Sequence, residues 1–336
     1  MSSDGRTKSA LFYEYPSEDG DVFGQGRRAR IEKLSDLYPT VITGDNFDQH
    51  AADLADVKVI FSTWGMPSFD DQHFEAMPNL KAVFYAAGNV KSFATPLIDR
   101  NITLVGAWDI NAIPVAEMCL SQVLLSLRGY FRATRRYAHL KTHDAKSFTR
   151  SGVFGETVGL IGLGKIGTRL RNLLATYPIK VLAYDPFLTD ERAVELDVES
   201  VSLAELFKRS LVVSNHIPDI ESTIGKLRHE YFAEMRDGAT FINSGRGAQV
   251  VEDDLIRVLE NRPDLTALLD VTLPEPPTQD SPLWRLPNVV ISPHIGGTVG
   301  DEVVRLADCV IDEYERWQAG ESLSYEITAE VLANMG

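Results

Sequence analysis

The sequence predicts an α/β protein whose parallel sheets are covered by helices, and three observations lead to this fold class. Short apolar runs of strand length alternate with helical patterns along most of the chain, which is typical of parallel sheets with two covered faces. One run, residues 157–161, leads into a glycine-rich turn and then into a helical pattern. The 336 residues are enough for two domains.

The first part of the chain reads as a domain without a glycine-rich phosphate loop of its own. Its predicted strands are residues 10–15, 40–43, 57–61, 82–85 and 102–105, its predicted helix is 27–37, and the segments 70–77 and 92–99 are expected to be helices or loops. Turns with Trp64 and Gly65 and with Ala87 and Gly88 follow the third and fourth strands, where open parallel sheets bind ligands. Their main-chain N–H groups could hold a carboxylate. Alternatively, Trp64 packs between loops and the glycines serve only turn geometry.

A long helical pattern covers residues 113–139, with Pro114 near its start. It is apolar around most of its circumference, which predicts a buried helix. The basic stretch 128–146 is expected to be a solvated face. Cys119 and Cys309 both lie in apolar helical stretches, so we expect small buried hydrophobes and no disulfide.

The turn Gly162-Leu-Gly-Lys-Ile-Gly167 has the pattern of a dinucleotide-binding loop. Its first glycine would make the tight turn, Gly164 would let the backbone approach a diphosphate, and the third would let helix pack on strand. A second strand, 180–184, ends at Asp185, roughly 20 residues beyond the last glycine, where a carboxylate holds the adenosine ribose. The alternative is an ordinary strand–helix turn. The coincidence of four features favours the dinucleotide site: a strand before the turn, a helix after it, a second strand, and a carboxylate at the end of that strand.

Further strands are predicted at 211–214, 239–243, 266–271 and 289–292, which makes six from residue 157, as in a complete dinucleotide fold. The last helical pattern, 299–317, carries a one-sided apolar stripe. The tail after it could return to the first domain.

Composition limits the partners. A formal net charge of −15 argues against nucleic acid and anionic membranes. The N-terminal residues lack the apolar region of a signal peptide, and no run approaches about 18 apolar residues. We therefore expect a cytoplasmic protein that spans no membrane, and we assign no metal ligands.

Three polar residues follow the later strands at one edge of the predicted sheet: Arg246, Glu275 and His294. Reduction of a 2-keto acid by a nicotinamide needs a cation for the carboxylate and carbonyl, which Arg supplies bidentately. It also needs a proton donor that titrates near neutrality, which is His, and a carboxylate that orients the imidazole. Singly, each could be a surface cation, a solvated carboxylate or a helix cap, but together they favour catalysis.

These residues stand in stretches that resemble the D-isomer-specific 2-hydroxyacid dehydrogenases, among them the glyoxylate/hydroxypyruvate reductases. The matching stretches are 158–167, 216–218, 241–247, 269–271 with 274–276, and 292–297. The resemblance implies a Rossmann, doubly wound NAD-binding domain at 113–302 and a flavodoxin-like α/β substrate-binding domain made from 1–112 and 303–336. It also implies Arg246, Glu275 and His294 as the catalytic residues and a homodimer that associates through the nucleotide domains.

The expected cofactor site is assembled from turns along the sheet edge: Gly162, Gly164, Lys165, Ile166, Gly167, Asp185, His216, Pro218, Thr223, Asn243, Ser244, Asp270, Gly296 and Gly297. The expected substrate site takes Trp64, Gly65, Ala87 and Gly88 together with Arg246 and His294. Some residues depart from the family pattern: no Trp stands in 150–154, Gly245 replaces a common Ala, Ser244 a usual Thr or Ala, and Asn89 a frequent Asp.

The sequence therefore predicts NAD(H)-dependent interconversion of a 2-keto acid and a D-2-hydroxy acid. Two alternatives remain at this point. Formate- or phosphite-type dehydrogenases share the architecture, although formate-type members carry Gln where Glu275 stands. An NAD-sensing, corepressor-like binding protein also shares the fold.

Overall fold

The computed structural model describes residues 5–14, 21–142 and 152–335, and the chain divides into two compact units. Unit 1 comprises Met1–Asn111 and Thr298–Met335, and unit 2 comprises Ala112–Gly297. Residues 298–302, which the sequence assigned to the nucleotide domain, belong to unit 1 by their contacts. The end of the first predicted strand at Tyr15, the predicted basic residue Lys146 and residues 150–151 lie outside the described residues.

The strands are β1 Lys8–Phe12, β2 Asp36–Leu37, β3 Val59–Ser62, β4 Ala82–Tyr85, β5 Thr103–Gly106, β6 Thr157–Ile161, β7 Lys180–Tyr184, β8 Glu199–Ser200, β9 Val212–Asn215, β10 Thr240–Asn243, β11 Thr266–Leu269 and β12 Val289–Ile291. The α-helices are α1 Arg27–Leu34, α2 Phe47–His50, α3 Asp71–Ala76, α4 Ala94–Ile98, α5 Trp108–Leu127, α6 Tyr130–Leu140, α7 Lys165–Leu174, α8 Asp190–Glu195, α9 Leu203–Arg209, α10 His229–Ala233, α11 Glu252–Asn261, α12 Val304–Ala319 and α13 Ala329–Asn334.

Unit 1 contains a five-stranded sheet in the order β2-β1-β3-β4-β5, with parallel pairs throughout. This is the flavodoxin-like order, and an apolar cluster covers each face of the sheet. The tail returns to this unit as expected, because Ile327 N–H donates to the carbonyl of Leu104 at 2.7 Å.

The edge strand of unit 1 was predicted wrongly. The edge of the sheet is 36–37, whereas the predicted strand 40–43 contributes only an isolated bridge from Ile42 to Phe12. Tyr38 N–H still bonds to the carbonyl of Ser9, but Pro39 has no N–H and ends the ladder.

Unit 2 contains a seven-stranded sheet in the order β12-β11-β10-β9-β6-β7-β8, again parallel. Six of these strands were predicted. The sequence missed β8 because its two residues, Glu199 and Ser200, are polar and exposed. The chain reverses its order of strand addition between β6 and β9, the position at which doubly wound sheets bind ligands. The predicted α/β class with a Rossmann-type sheet is confirmed.

The predicted long helix is two helices. Gly129 has a left-handed φ of 66°, which separates α5 from α6, and α5 begins at Trp108, before Pro114. By its length and composition alone, α5 could cross a membrane. The core helix of a globular protein can be equally long and apolar. Val115 and Val123 of α5 lie in the apolar core of unit 2, so we interpret it as a core helix.

The last predicted helix starts later than expected. Residues 300–303 form a 3-10 turn, and the α-helix α12 begins at Val304. Cys119 and Cys309 are both free and buried, as predicted.

Candidate active site

The glycine-rich turn joins β6 to α7 at the switch point, and two of its glycines are required by contact. Gly162 has a φ of 89°, and a Cβ there would lie 2.9 Å from the carbonyl carbon of His216. A Cβ at Gly167 would lie 2.0 Å from the carbonyl oxygen of Gly162. Gly164 has nothing within 4 Å of its ideal Cβ position. The turn therefore offers open space at the N-terminus of a ten-residue helix, where an anionic diphosphate is stabilised.

Asp185 follows β7 and lies against this turn. Its Oδ2 accepts a hydrogen bond from Leu163 N–H at 2.7 Å, and its Oδ1 accepts one from Phe187 N–H at 2.8 Å. The carboxylate is thus fixed beside the opening at Gly164. Lys165 and Ile166 are the first residues of α7; Lys165 is exposed, and Ile166 packs against the core of unit 2.

The polar side chains of the turn after β9 bond to other groups of the protein. His216 is buried, with Nε2 2.9 Å from Ser214 Oγ and Nδ1 3.2 Å from Ser244 Oγ. Burial lowers the pKa of His216 to about 3, since desolvation disfavours the charged imidazolium. The Thr223 hydroxyl lies 2.6 Å from the carbonyl oxygen of Pro218. The side chains of His216 and Thr223, two of the predicted cofactor residues, therefore bond to neighbouring groups of the protein.

Arg246 stands three residues after β10 and is partly exposed. Its Nη1 donates to the carbonyl of Gly245 at 2.7 Å. Asn243, at the end of β10, bonds to the main chain of this turn, with Gly245 N–H and the Arg246 carbonyl each 3.2 Å from its side-chain amide. Sequence reasoning did not anticipate Gln249, whose Oε1 accepts from Arg246 N–H at 3.1 Å.

Asp270, after β11, holds the turn that carries His294. The carboxylate is buried and accepts from Ser292 Oγ at 2.6 Å, Ile295 N–H at 3.0 Å and Gly296 N–H at 2.8 Å. The Asp270 carbonyl also accepts from His294 N–H at 3.1 Å. His294 itself has a left-handed φ of 54°, an unfavourable conformation that the surrounding bonds over-determine.

Asp270, a predicted cofactor residue, thus holds the 292–296 turn in place. The same crowding explains Gly296, because a Cβ there would lie 2.8 Å from Asp270 Oδ2. Gly297, another predicted cofactor residue, is the last residue of unit 2 in this segment.

Glu275 and His294 are in direct contact. His294 Nδ1 lies 2.6 Å from Glu275 Oε1, and the two side chains are 45% and 39% exposed, respectively. A carboxylate at Nδ1 orients the ring and leaves Nε2 as the nitrogen that can exchange a proton with a ligand. Arg246, Glu275 and His294 follow β10, β11 and β12, which are neighbours in the sheet. All three side chains therefore emerge at the carboxyl edge of adjacent strands.

The predicted substrate residues of unit 1 follow the neighbouring strands β3 and β4. Trp64 is partly buried against the apolar clusters of the unit. Gly65 has a φ of 80°, and a Cβ there would lie 2.6 Å from Glu14 Cβ, so this glycine serves turn geometry as well. Ala87 is fully buried, and Gly88 is partly exposed beside Asn111. Glu14 was not anticipated at these turns.

Comparisons with known proteins identify the family. A model described as "D-isomer specific 2-hydroxyacid dehydrogenase, NAD binding domain" matches residues 120–296. The chain belongs to the D-isomer-specific 2-hydroxyacid dehydrogenases. Unit 2 therefore contains the NAD-binding domain of this family.

Curated members of the family match most of the chain. It is 31% identical over 245 residues to a D-3-phosphoglycerate dehydrogenase from Archaeoglobus fulgidus, covering 73% of this chain and 46% of that protein. It is 30% identical over 266 residues to a putative 2-hydroxyacid dehydrogenase, YoaD, from Bacillus subtilis, covering 76% of each. The chain spans about half the length of the curated D-3-phosphoglycerate dehydrogenases that it matches.

Solved structures of two oxidoreductases have a similar fold. A phosphoglycerate oxidoreductase from Rhizobium etli superposes with a TM-score of 0.80 at 22% identity, covering 97% of this chain and 100% of that one. An NADPH-dependent glyoxylate/hydroxypyruvate reductase from Sinorhizobium meliloti superposes with a TM-score of 0.73 at 20% identity, covering 98% and 100%. At these identities the likeness establishes the fold alone.

Proposed function

We propose that this chain catalyses the reversible, NAD(H)-dependent interconversion of a 2-keto acid and a D-2-hydroxy acid. The observation that carries the proposal is the 2.6 Å contact between His294 Nδ1 and Glu275 Oε1 at the edge of an NAD-binding domain. A histidine held by a carboxylate is the proton donor that reduction of a carbonyl requires.

Each member of the trio has a distinct task in this proposal. The Arg246 guanidinium binds the substrate carboxylate and polarises the 2-keto oxygen. His294 Nε2–H would give its proton to the oxygen of the 2-keto group while C2 receives the hydride that bound NADH would supply. Glu275 orients the imidazole ring through its contact with Nδ1. In the oxidation direction, neutral His294 would accept the hydroxyl proton, and bound NAD⁺ would accept the hydride from C2.

We propose NAD(H) rather than NADP(H) as the cofactor, although one structural relative is NADPH-dependent. The Asp185 carboxylate lies beside the glycine turn, and it would repel the additional phosphate on the ribose 2′-oxygen. In this proposal unit 2 binds the dinucleotide, and Trp64, Gly65, Ala87 and Gly88 of unit 1 contribute to the substrate site. We also propose that the protein is cytoplasmic and forms a homodimer through its NAD-binding domains. Sedimentation equilibrium would test the dimer by its mass in solution.

The experiment is NADH oxidation with glyoxylate, hydroxypyruvate, pyruvate, an aryl keto acid and a sugar-derived keto acid. At least one should be turned over by the wild-type chain. His294→Asn should lower kcat by roughly 10²–10⁴-fold, while NADH binding measured by fluorescence is retained. Binding of NADH without turnover of any keto acid would contradict the proposal and favour a cofactor-sensing protein. Steady NADH formation from formate would favour a formate-type dehydrogenase.

A further inference from the structure

We propose that Gln249, together with Asn215, positions Arg246 by holding the main chain of its turn. The proposal rests on the proposed function, because it concerns the arginine assigned there to the substrate carboxylate. Neither amide belongs to the motifs by which the site was recognised. They act through Arg246 and are therefore positioning residues.

The Gln249 amide links its own turn to the end of β9 and the loop that follows β9. Its Oε1 accepts from Arg246 N–H at 3.1 Å and from Asn215 Nδ2 at 2.6 Å, and its Nε2 donates to the carbonyl of Ile217 at 2.5 Å. Both amide side chains are 0% exposed. A buried amide with its hydrogen bonds satisfied is rigid, because a rotation would leave polar groups unpaired.

Asn243 completes the support on the other side of the turn. Its Nδ2 donates to the Arg246 carbonyl at 3.2 Å, and its Oδ1 accepts from Gly245 N–H at 3.2 Å and from Asn215 Nδ2 at 3.0 Å. Buried amides therefore hold both the N–H and the carbonyl of Arg246. This fixes the origin of a partly exposed guanidinium, and bidentate carboxylate binding depends on that geometry.

The absence of a side chain at Gly245 leaves the space that the Gln249 amide occupies. A Cβ at position 245 would lie 2.6 Å from Gln249 Oε1 and 3.1 Å from Asn215 Nδ2. The amide oxygen cannot yield this space without releasing Arg246 N–H. The glycine that departs from the common Ala of the family is thus explained by the amide cluster beneath it.

The first test compares Gln249→Ala with Asn288→Ala. Asn288 is another buried amide of unit 2, which donates to the carbonyls of Leu259 and Arg262. Both variants lose a buried amide, so both should unfold at lower urea concentration. Only Gln249→Ala should lower kcat/KM for the keto acid, by roughly tenfold or more, mainly through KM and with the dissociation constant of NADH changed less than about twofold. Equal keto-acid KM values in the two variants would overturn the proposal.

The second test is a double-mutant cycle. Gly245→Ala should lower kcat/KM strongly in the parent, and much less in the Gln249→Ala background, because the new methyl group then has space. If the two substitutions lower kcat/KM independently, so that their effects add as free energies, the coupling between Gly245 and Gln249 and the proposal are both overturned.

Arg246→Ala separates this proposal from the proposed function. If the wild-type chain turns over no keto acid, the proposed function fails, and if Arg246→Ala keeps wild-type turnover, the role assigned to Arg246 fails and the positioning proposal fails with it. If Arg246→Ala abolishes turnover while Gln249→Ala leaves KM unchanged, only the positioning role is lost.

Discussion

Protonation of His216 is predicted to destabilise the protein at mildly acidic pH. The ring is buried between the hydroxyls of Ser214 and Ser244, and burial lowers its pKa from 6.5 to about 3. The unfolded chain therefore binds a proton at pH 5 that the folded chain does not bind. Stability from this group is fully present above pH 6.5 and is lost as the pH falls toward 3.

The magnitude follows from the width of this window. The loss is about 1.4 kcal/mol for each pH unit between the two pKa values. Between pH 7 and pH 5 it amounts to about 2 kcal/mol. Because the backbone of His216 lies under Gly162, the same protonation should weaken NADH binding.

The assay is urea unfolding at pH 7 and pH 5 for the wild type and His216→Gln. The substitution removes the titrating group, so the pH-dependent loss should be smaller by about 2 kcal/mol, whatever its effect at pH 7. His229→Gln is the control, since His229 is an exposed histidine of the same unit. Equal pH dependence in wild type and His216→Gln would refute the reasoning.

Three further predictions concern residues of unit 2. Gly167→Ala should abolish measurable NADH binding, since its Cβ would lie 2.0 Å from the Gly162 oxygen; calorimetric titration with unchanged affinity would contradict this. Asp185→Ala should raise kcat/KM with NADPH relative to NADH by roughly tenfold, because the repelling carboxylate is gone; an unchanged ratio in steady-state kinetics would contradict it. Asp270→Asn places an amide NH₂ group against main-chain donors such as Gly296 N–H, so it should lower the free energy of unfolding by about 1–3 kcal/mol and also lower kcat. Urea unfolding and steady-state kinetics measure the two effects, and wild-type values in both would contradict the role of Asp270.

The sequence predicted the sheets because apolar runs and the glycine turn are local signals. The spacing of Gly162, Gly164 and Gly167 predicts positions without room for a side chain. At Gly162 and Gly167 this is confirmed, because a Cβ there would clash with neighbouring backbone. The pairing of Glu275 with His294 could also be predicted from the sequence, because the two residues follow neighbouring strands of one predicted sheet.

Other features depend on tertiary contacts that leave no local pattern. β8 is two exposed polar residues, and only its pairing with β7 defines it as a strand. Gln249 resembles any polar residue of a loop until the fold buries it against Asn215 and Arg246. The bonds from the Asp270 carboxylate to the 292–296 turn depend on the tight fold of that turn, which the sequence does not reveal.

Isotope transfer from the cofactor tests the central claim most directly. A 2-keto acid turned over by the chain is incubated with NADH deuterated at both hydrogens of nicotinamide C4, and the product is analysed by mass spectrometry and chiral chromatography. The account predicts a D-2-hydroxy acid that carries one deuterium on C2, because the hydride passes directly to that carbon while His294 supplies a solvent-exchangeable proton to oxygen. A product without deuterium on C2, or the L-enantiomer, would contradict it.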